Sequence, residues 1–428
     1  MKNPRLKILA MLFLLSGVMA LGQGRALALN AYDKSNSDSQ LYVDDDRVQC
    51  PQAQFQSIQA AVLAARPNDK IYVCPGIYRE QVRIDKPLTV QGISVDNQNQ
   101  AIVMPVGVAP NSTSLATNNP IAAIILVDGA SKVTLQNLTV DGATNGITGC
   151  APNLVGVYYR NSSGSIDSLA VRNIKLGTGL EGCQSGLAIF VQSGQGGSSK
   201  VSILNNSVHD YQKNGITANE AGTDVMISGN AVSGIGSTPN IAQNGIQIAD
   251  GATGTIDSNS IINHIYSPCV SIENCGAASA NILIIDSDGV KVTKNNAGKA
   301  QLNIYYQGNK GDVSNNIIFD SDVFDGIDLV GDMNRAISNN IFNSDAAAIY
   351  VLGNKNIANA NNINEAPIGI LEDSPSSGNN YNGNKFFNTG VNVVTASPSI
   401  SSSTATTRDA LNTQGGTTSQ RLMHPAMP

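Results

Sequence analysis

Tryptophan is absent from this 428-residue chain, histidine occurs three times, and charged side chains make up 14% of it, well under the usual quarter. So little charge excludes a coiled coil and a charged disordered chain. Basic residues are scattered and the formal net charge is −6, so no cationic surface exists to neutralise phosphates, and nucleic acid is excluded as a partner. His209, His264 and His424 lie far apart and none has metal-ligand spacing with a cysteine, which removes a structural zinc site; no metal is assigned. After residue 30 no apolar run is long enough to cross a bilayer.

What is there begins with an address. Lys2, Arg5 and Lys7 precede an apolar run from Ile8 to Leu21, and Ala26-Leu27-Ala28 offers the small residues a signal peptidase reads. Residues 1–28 are therefore expected to be a signal peptide, 29–49 an N-terminal extension, 50–390 the folded body and 391–428 a disordered Ser/Thr-rich tail. Secretion, or residence in a periplasm or at a cell surface, is implied, with no membrane span after cleavage. Export fits an even set of cysteines, Cys50, Cys74, Cys150, Cys183, Cys269 and Cys275, expected as disulfides between sequence neighbours.

The body repeats. An Asn step recurs at Asn206, Asn230, Asn259, Asn296, Asn316, Asn340 and Asn362, and a Gly-Ile step at Gly215, Gly245, Gly326 and Gly369, with Ala348 standing in once. The arm from Gly to Asn is nearly constant in length. The arm from Asn to Gly varies, so it must carry the loops. Short β-branched runs such as Val201–Leu204 cannot be stable alone and must stack on copies of themselves. The expected fold is all-β, a right-handed parallel β-helix, a solenoid of monomeric chains in which the Asn amides line up along the axis. Phe55, Ile58, Val62 and Ala65 share a helical face, predicting an N-terminal capping helix over the open end.

The wording from Phe55 to Gly92, "FQSIQAAV…IYVCPGIYREQVRIDKPLTVQG", resembles the N-terminal cap and first turns of the pectin lyase-like superfamily; Asn205–Ala218 and Gln243–Gly254 resemble secreted right-handed β-helix repeat proteins. The resemblance implies the fold and an exported protein. It transfers no catalytic residue: the Trp-bearing motifs of pectinesterases and pectate lyases, the Gly-His-Gly of polygalacturonases and the Asp-Pro-His of mannuronan epimerases are all missing.

Candidate chemistry then rests on residue types. His209, Asp210, Tyr211 and Lys213 put a base, a carboxylate, a phenol and an ammonium into five residues, the parts a uronate lyase or epimerase needs; a solvated turn is the competing reading. His264 and Tyr266 follow two Asn steps on. Asp320, Asp322, Asp325 and Asp328 could supply a hydrolase carboxylate pair or oxygens for Ca²⁺, the only cofactor the sequence suggests. Aligning Gly156, Gly186, Gly215, Gly245 and Gly326 makes Tyr158, Ala188, Thr217, Gln247 and Asp328, joined by Tyr350, an outward column suited to a glycan, with Arg160 nearby. The expected partner is an extended polysaccharide or cell-surface glycan, bound or processed by a lyase, epimerase or hydrolase; the alternative is a non-enzymatic structural or adhesive solenoid.

Overall fold

The structure is a computed structural model that describes residues 40–93, 100–271, 275 and 277–395. The expected signal peptide, and all but the first few residues of the expected tail, lie outside the described residues.

Each coil contributes short strands to two parallel sheets, one of twelve strands and one of 23 in which two pairing ladders merge. The twelve-stranded sheet starts at Gln40–Val43, inside the segment expected as an extension, and pairs onward through Lys70–Val73 and Thr89–Gly92. The second ladder stacks Val171, Val208, Val232, Ile261, Ala297, Ile318 and Ile341. The third stacks Val157, Ile189, Ile216, Ile246, Ile282, Ile304 and Ile327. These side chains fill the bore and are fully buried, each Val and Ile contributing roughly 1.5–3 kcal/mol of burial. Among the described residues one strand pair is antiparallel, Ser112–Thr113 against Pro120–Ile121, within a loop.

The capping helix spans Ile58–Ala64, with Ile58, Ala61 and Val62 buried and Ser57 as N-cap. It starts after Phe55, which instead bridges Val43. The carboxylate of Glu80 accepts from the Ser57 hydroxyl and from the Ile58 and Gln59 amides at 2.7–2.9 Å, satisfying donors that a helix start leaves open.

The asparagine ladder exists, with a register that differs from the expected one at three rungs. It runs Asn206, Asn230, Asn259, Asn295, Asn316, Asn339, Asn361 and Asn384. In each link the backbone N–H and the Nδ2 of one rung donate to the Oδ1 of the next, at 2.8–3.0 Å. The residue before each rung sits in the left-handed region, for example Lys294 (φ 55°), Ser338 (φ 56°) and Ala360 (φ 56°), and the turn it makes drives the next side chain inward. Asn296, Asn340 and Asn362 are one residue too late, so they begin the following strands.

The long connections all leave a second-ladder strand and enter a third-ladder strand: Val103 to Pro120, Asp141 to Asn153, Arg172 to Leu187 and Tyr266 to Ala280. This is the variable arm. Cys150–Cys183 and Cys269–Cys275 tie two of these corners, and Cys50–Cys74 ties the N-terminal end. Among the described residues no helix is long and apolar enough to cross a membrane.

Candidate functional site

The four residues of the His209 segment diverge. His209 ends a strand, 40% exposed, with Nδ1 2.7 Å from Asp210 Oδ2. Asp210 takes a left-handed φ of 56°; its hydrogen bond to His209 and the nearby Lys175 hold its carboxyl below the usual range. That turn sends Tyr211 into the bore, fully buried, with burial pushing its phenol up. Lys213 is buried too: its Nζ donates to the Ala242 carbonyl at 2.8 Å, and desolvation brings it down to about 8. The four expected groups are thus divided, with His209 and Asp210 at the surface and Tyr211 and Lys213 buried.

His264, expected beside a groove, also faces the bore. The Tyr211 hydroxyl lies 2.5 Å from His264 Nε2, and His264 Nδ1 lies 2.6 Å from Asn281 Oδ1. Asn281 Nδ2 donates to the Gly298 carbonyl and to Asn303 Oδ1, and Asn303 Nδ2 donates to Ser321 Oγ. Because Asn281 Oδ1 is then an acceptor, the imidazole carries its proton on Nδ1 and Tyr211 donates to Nε2. Burial lowers His264 to about 4, so the relay is neutral at ordinary pH.

The expected outward column is real in register but closed to solvent. It reads Tyr158, Phe190, Thr217, Gln247, Leu283, Tyr305, Asp328 and Tyr350, every member at most 9% exposed. Phe190 takes the place expected for Ala188, since Val155 pairs with Leu187 and Val157 with Ile189, which sets Ala188, not Gly186, beside Gly156. Loops explain the burial. The Ser112–Asn119 loop crosses Tyr158 and Gln192, where Thr113 O, Ser114 and Leu115 N make hydrogen bonds; near the Cys269–Cys275 loop, Leu283, Tyr305 and Phe324 form an outer apolar cluster with both cysteines. Between the two covered patches Asn214 Nδ2 bonds Thr217 and Gln247. Arg160 pairs with Asp128 at 3.2 Å and donates to Thr113 O; Tyr350 donates to Asp373 at 2.9 Å.

The aspartates of the acidic stretch point apart. Asp325 is buried and accepts from the Ala347 amide, Asp328 lies between Tyr305 and Tyr350, Asp320 accepts from Asn343, and Asp322 faces Asp345, burial and that neighbour raising it. For a cation, Asp44, Asp45 and Asp46 bring carboxylate oxygens within 4.8 Å of one another, but Asp44 and Asp45 already accept from the Cys50 and Ile77 amides.

Ionisable groups meet solvent where third-ladder strands end. Glu220, Asp250 and Asp286 follow one another in adjacent coils, each at a left-handed φ of 67°, 58° and 48°, with Glu220 N donating to Ala249 O and Asp250 N to Ile285 O. Burial, with a smaller push from Asp250, raises the Glu220 carboxyl to about 7, although Gln192 hydrogen-bonds to it. Its Oε2 is buried with no partner. The same corner continues as a depression of about 580 Å³ lined by Thr253, Asp286, Asp288, Gln307 and Asn309. The sequence suggests Glu220 only as a neighbour of His209, Tyr211 and Lys213 and does not group it with Asp250 and Asp286, though each acid stands five residues after the Gly step or its equivalent, at Gly215, Gly245 and Asn281.

No protein-family profile and no curated protein matches the chain. Among solved structures, the GH136 lacto-N-biosidase of Eubacterium ramulus is similar with a TM-score of 0.54 at 12% identity, over 81% of this chain and 67% of that one. The surface adhesin PfbA of Streptococcus pneumoniae gives 0.49 at 14% identity, over 80% and 88%. DFA-IIIase of Arthrobacter chlorophenolicus A6 gives 0.48 at 15%, over 84% and 89%. Together with the coaxial parallel ladders, the first of these likenesses establishes the architecture: the chain has the fold of a right-handed parallel β-helix.

Proposed function

We propose that this is an exported protein that binds an extended polysaccharide along the corner where third-ladder strands end, and that Glu220 gives it a hydrolytic capability. The observation that carries the reading is the Glu220 carboxyl, with one oxygen buried and unpartnered and a proton affinity raised to about 7. A carboxylic acid kept protonated near neutrality beside a second carboxylate is what glycosidic cleavage needs. In that reaction Glu220 gives its proton to the glycosidic oxygen, Asp250 of the next coil takes one from water, and water adds across the bond. The amides of Gln307 and Asn309 in the depression would hold sugar hydroxyls through paired donors and acceptors. The three disulfides support export.

The test is a panel of neutral and acidic polysaccharides with the mature chain, reading reducing ends and binding together. Glu220→Gln is expected to lose at least about 100-fold in turnover while still binding. Silence of the wild type on every glycan would favour the adhesive or structural alternative, and equal turnover by Glu220→Gln would remove the assignment. His209→Ala should change neither.

A further inference from the structure

Asn296, Asn340 and Asn362, turned out of the internal ladder, stand on the outer face of the second ladder. They share a column with Ile317 and Lys385. Two residues further along each strand runs the column Gly298, Phe319, Phe342, Asn364 and Phe387. Unlike the third ladder, this face is open: Ile317 is 45% exposed, Phe342 41% and Phe387 55%. Gly298 matters here, because a Cβ on it would lie 2.3 Å from the Phe319 ring; without one, the ring settles against the neighbouring coil. Asn362 Nδ2 donates to Asn340 Oδ1 at 2.8 Å, and Asn388 Nδ2 to Asn364 Oδ1 at 3.3 Å. The two columns contain a single charged side chain, Lys385, at their end.

We propose that this strip is a second carbohydrate site, a flat platform on which a neutral, unbranched polysaccharide stacks its sugar rings on Phe319, Phe342 and Phe387 and bonds its hydroxyls to Asn340, Asn362 and Asn364. A pyranose has an apolar C–H face and a hydroxyl rim. The negative face of an aromatic ring attracts polarised C–H groups, and each amide offers both donors and an acceptor. Coils rise about 4.8 Å each, so the platform repeats along the axis as a linear polymer repeats along its length. Acidic polymers gain nothing from uncharged columns. A protein partner fits poorly as well: from Phe319 to Phe387 is three coil steps, about 14 Å, and two columns lie about 7 Å apart, giving on the order of 100 Å² against the roughly 800 Å² per partner of a stable interface.

The strip lies on a different ladder from Glu220, so its test separates from that of the corner. The mature chain is incubated with microcrystalline cellulose and chitin, and run through gels containing soluble, unbranched mixed-linkage β-glucan. Phe342→Ala/Phe387→Ala is expected to lose at least ten-fold in binding to one of these with unchanged melting, Phe342→Tyr/Phe387→Tyr to retain it, and His209→Ala to bind like the wild type. Failure of the wild type to bind any of the three polymers, or equal binding by the alanine variant, overturns the platform. So does a wild-type dimer in sedimentation that the alanine variant dissociates, since the face would then be a protein contact. If Glu220→Gln alone abolished binding, the corner would hold the polymer and the platform would be discarded.

Discussion

Acid should loosen the middle coils through His264. In the fold this imidazole titrates near 4, against an ordinary 6.5, because burial disfavours its charged form. The unfolded chain therefore takes up a proton first as pH falls. The stability tied to neutral His264 is whole above about pH 6.5, declines at about 1.4 kcal/mol per pH unit, and levels off below about pH 4, where the folded state also protonates. The gap amounts to about 3 kcal/mol, a large share of the 5–15 kcal/mol that holds a typical domain. His264→Gln removes the titrating group and disturbs the Tyr211 and Asn281 bonds, at about 1–3 kcal/mol at pH 7.5. Urea midpoints for both proteins between about pH 7.5 and about pH 4.5 decide the matter, because contributions from carboxylates cancel in the difference. The variant should start less stable and converge on the wild type as the medium acidifies. Parallel curves would refute the reasoning and mean that the imidazole is not held neutral by its surroundings.

Asn295→Ala should cost about 2–4 kcal/mol, since it orphans the Asn259 N–H inside the bore and takes one acceptor from Asn259 Nδ2, which keeps the Ile227 and Asp257 carbonyls, whereas Asn296→Ala should stay within about 0.5 kcal/mol; equal losses in chemical denaturation would contradict the observed register. Glu220→Gln should melt higher than the wild type near pH 8 and alike near pH 4.5, because the folded acid, raised to about 7, resists ionisation that the unfolded chain completes above 4.5. One face of that group is open to solvent, which keeps the gain to no more than about 2 kcal/mol. Replacing Cys269 and Cys275 by Ser opens a loop of sequence separation 6 and should lower stability by about 2 kcal/mol. Protection of the Leu283 and Tyr305 amides in hydrogen exchange should fall with it.

The fold was legible because repetition is a property of sequence: constant spacing from Gly to Asn fixes two sides of each coil, and variable spacing marks the corner with loops. Register was legible only to within a residue. Asn doublets such as Asn295-Asn296 leave open which member turns inward, and a left-handed φ at Lys294 or Ser338 decides it without any glycine to announce the turn. The site was harder still. Alternation places Thr217, Gln247 and Asp328 on the outer face, but whether that face sees water depends on where the Ser112–Asn119 loop and the Cys269 and Cys275 side chains settle. His209 to Lys213 looked catalytic because four reactive groups are close in number. One left-handed residue, Asp210, sends them to different sides.

Every rung of the asparagine column passes its bond in the same direction, toward the C-terminus, and the last links are spaced alike, 23 residues from Asn316 to Asn339 and 22 from Asn339 to Asn361. A coil can therefore be excised whole. Removing Ile317 through Asn339 would splice Asn316 directly onto Asn340 and leave each remaining amide with an acceptor below it, so this molecule can shorten or lengthen by recombination in units of one storey while its two ends stay as they are.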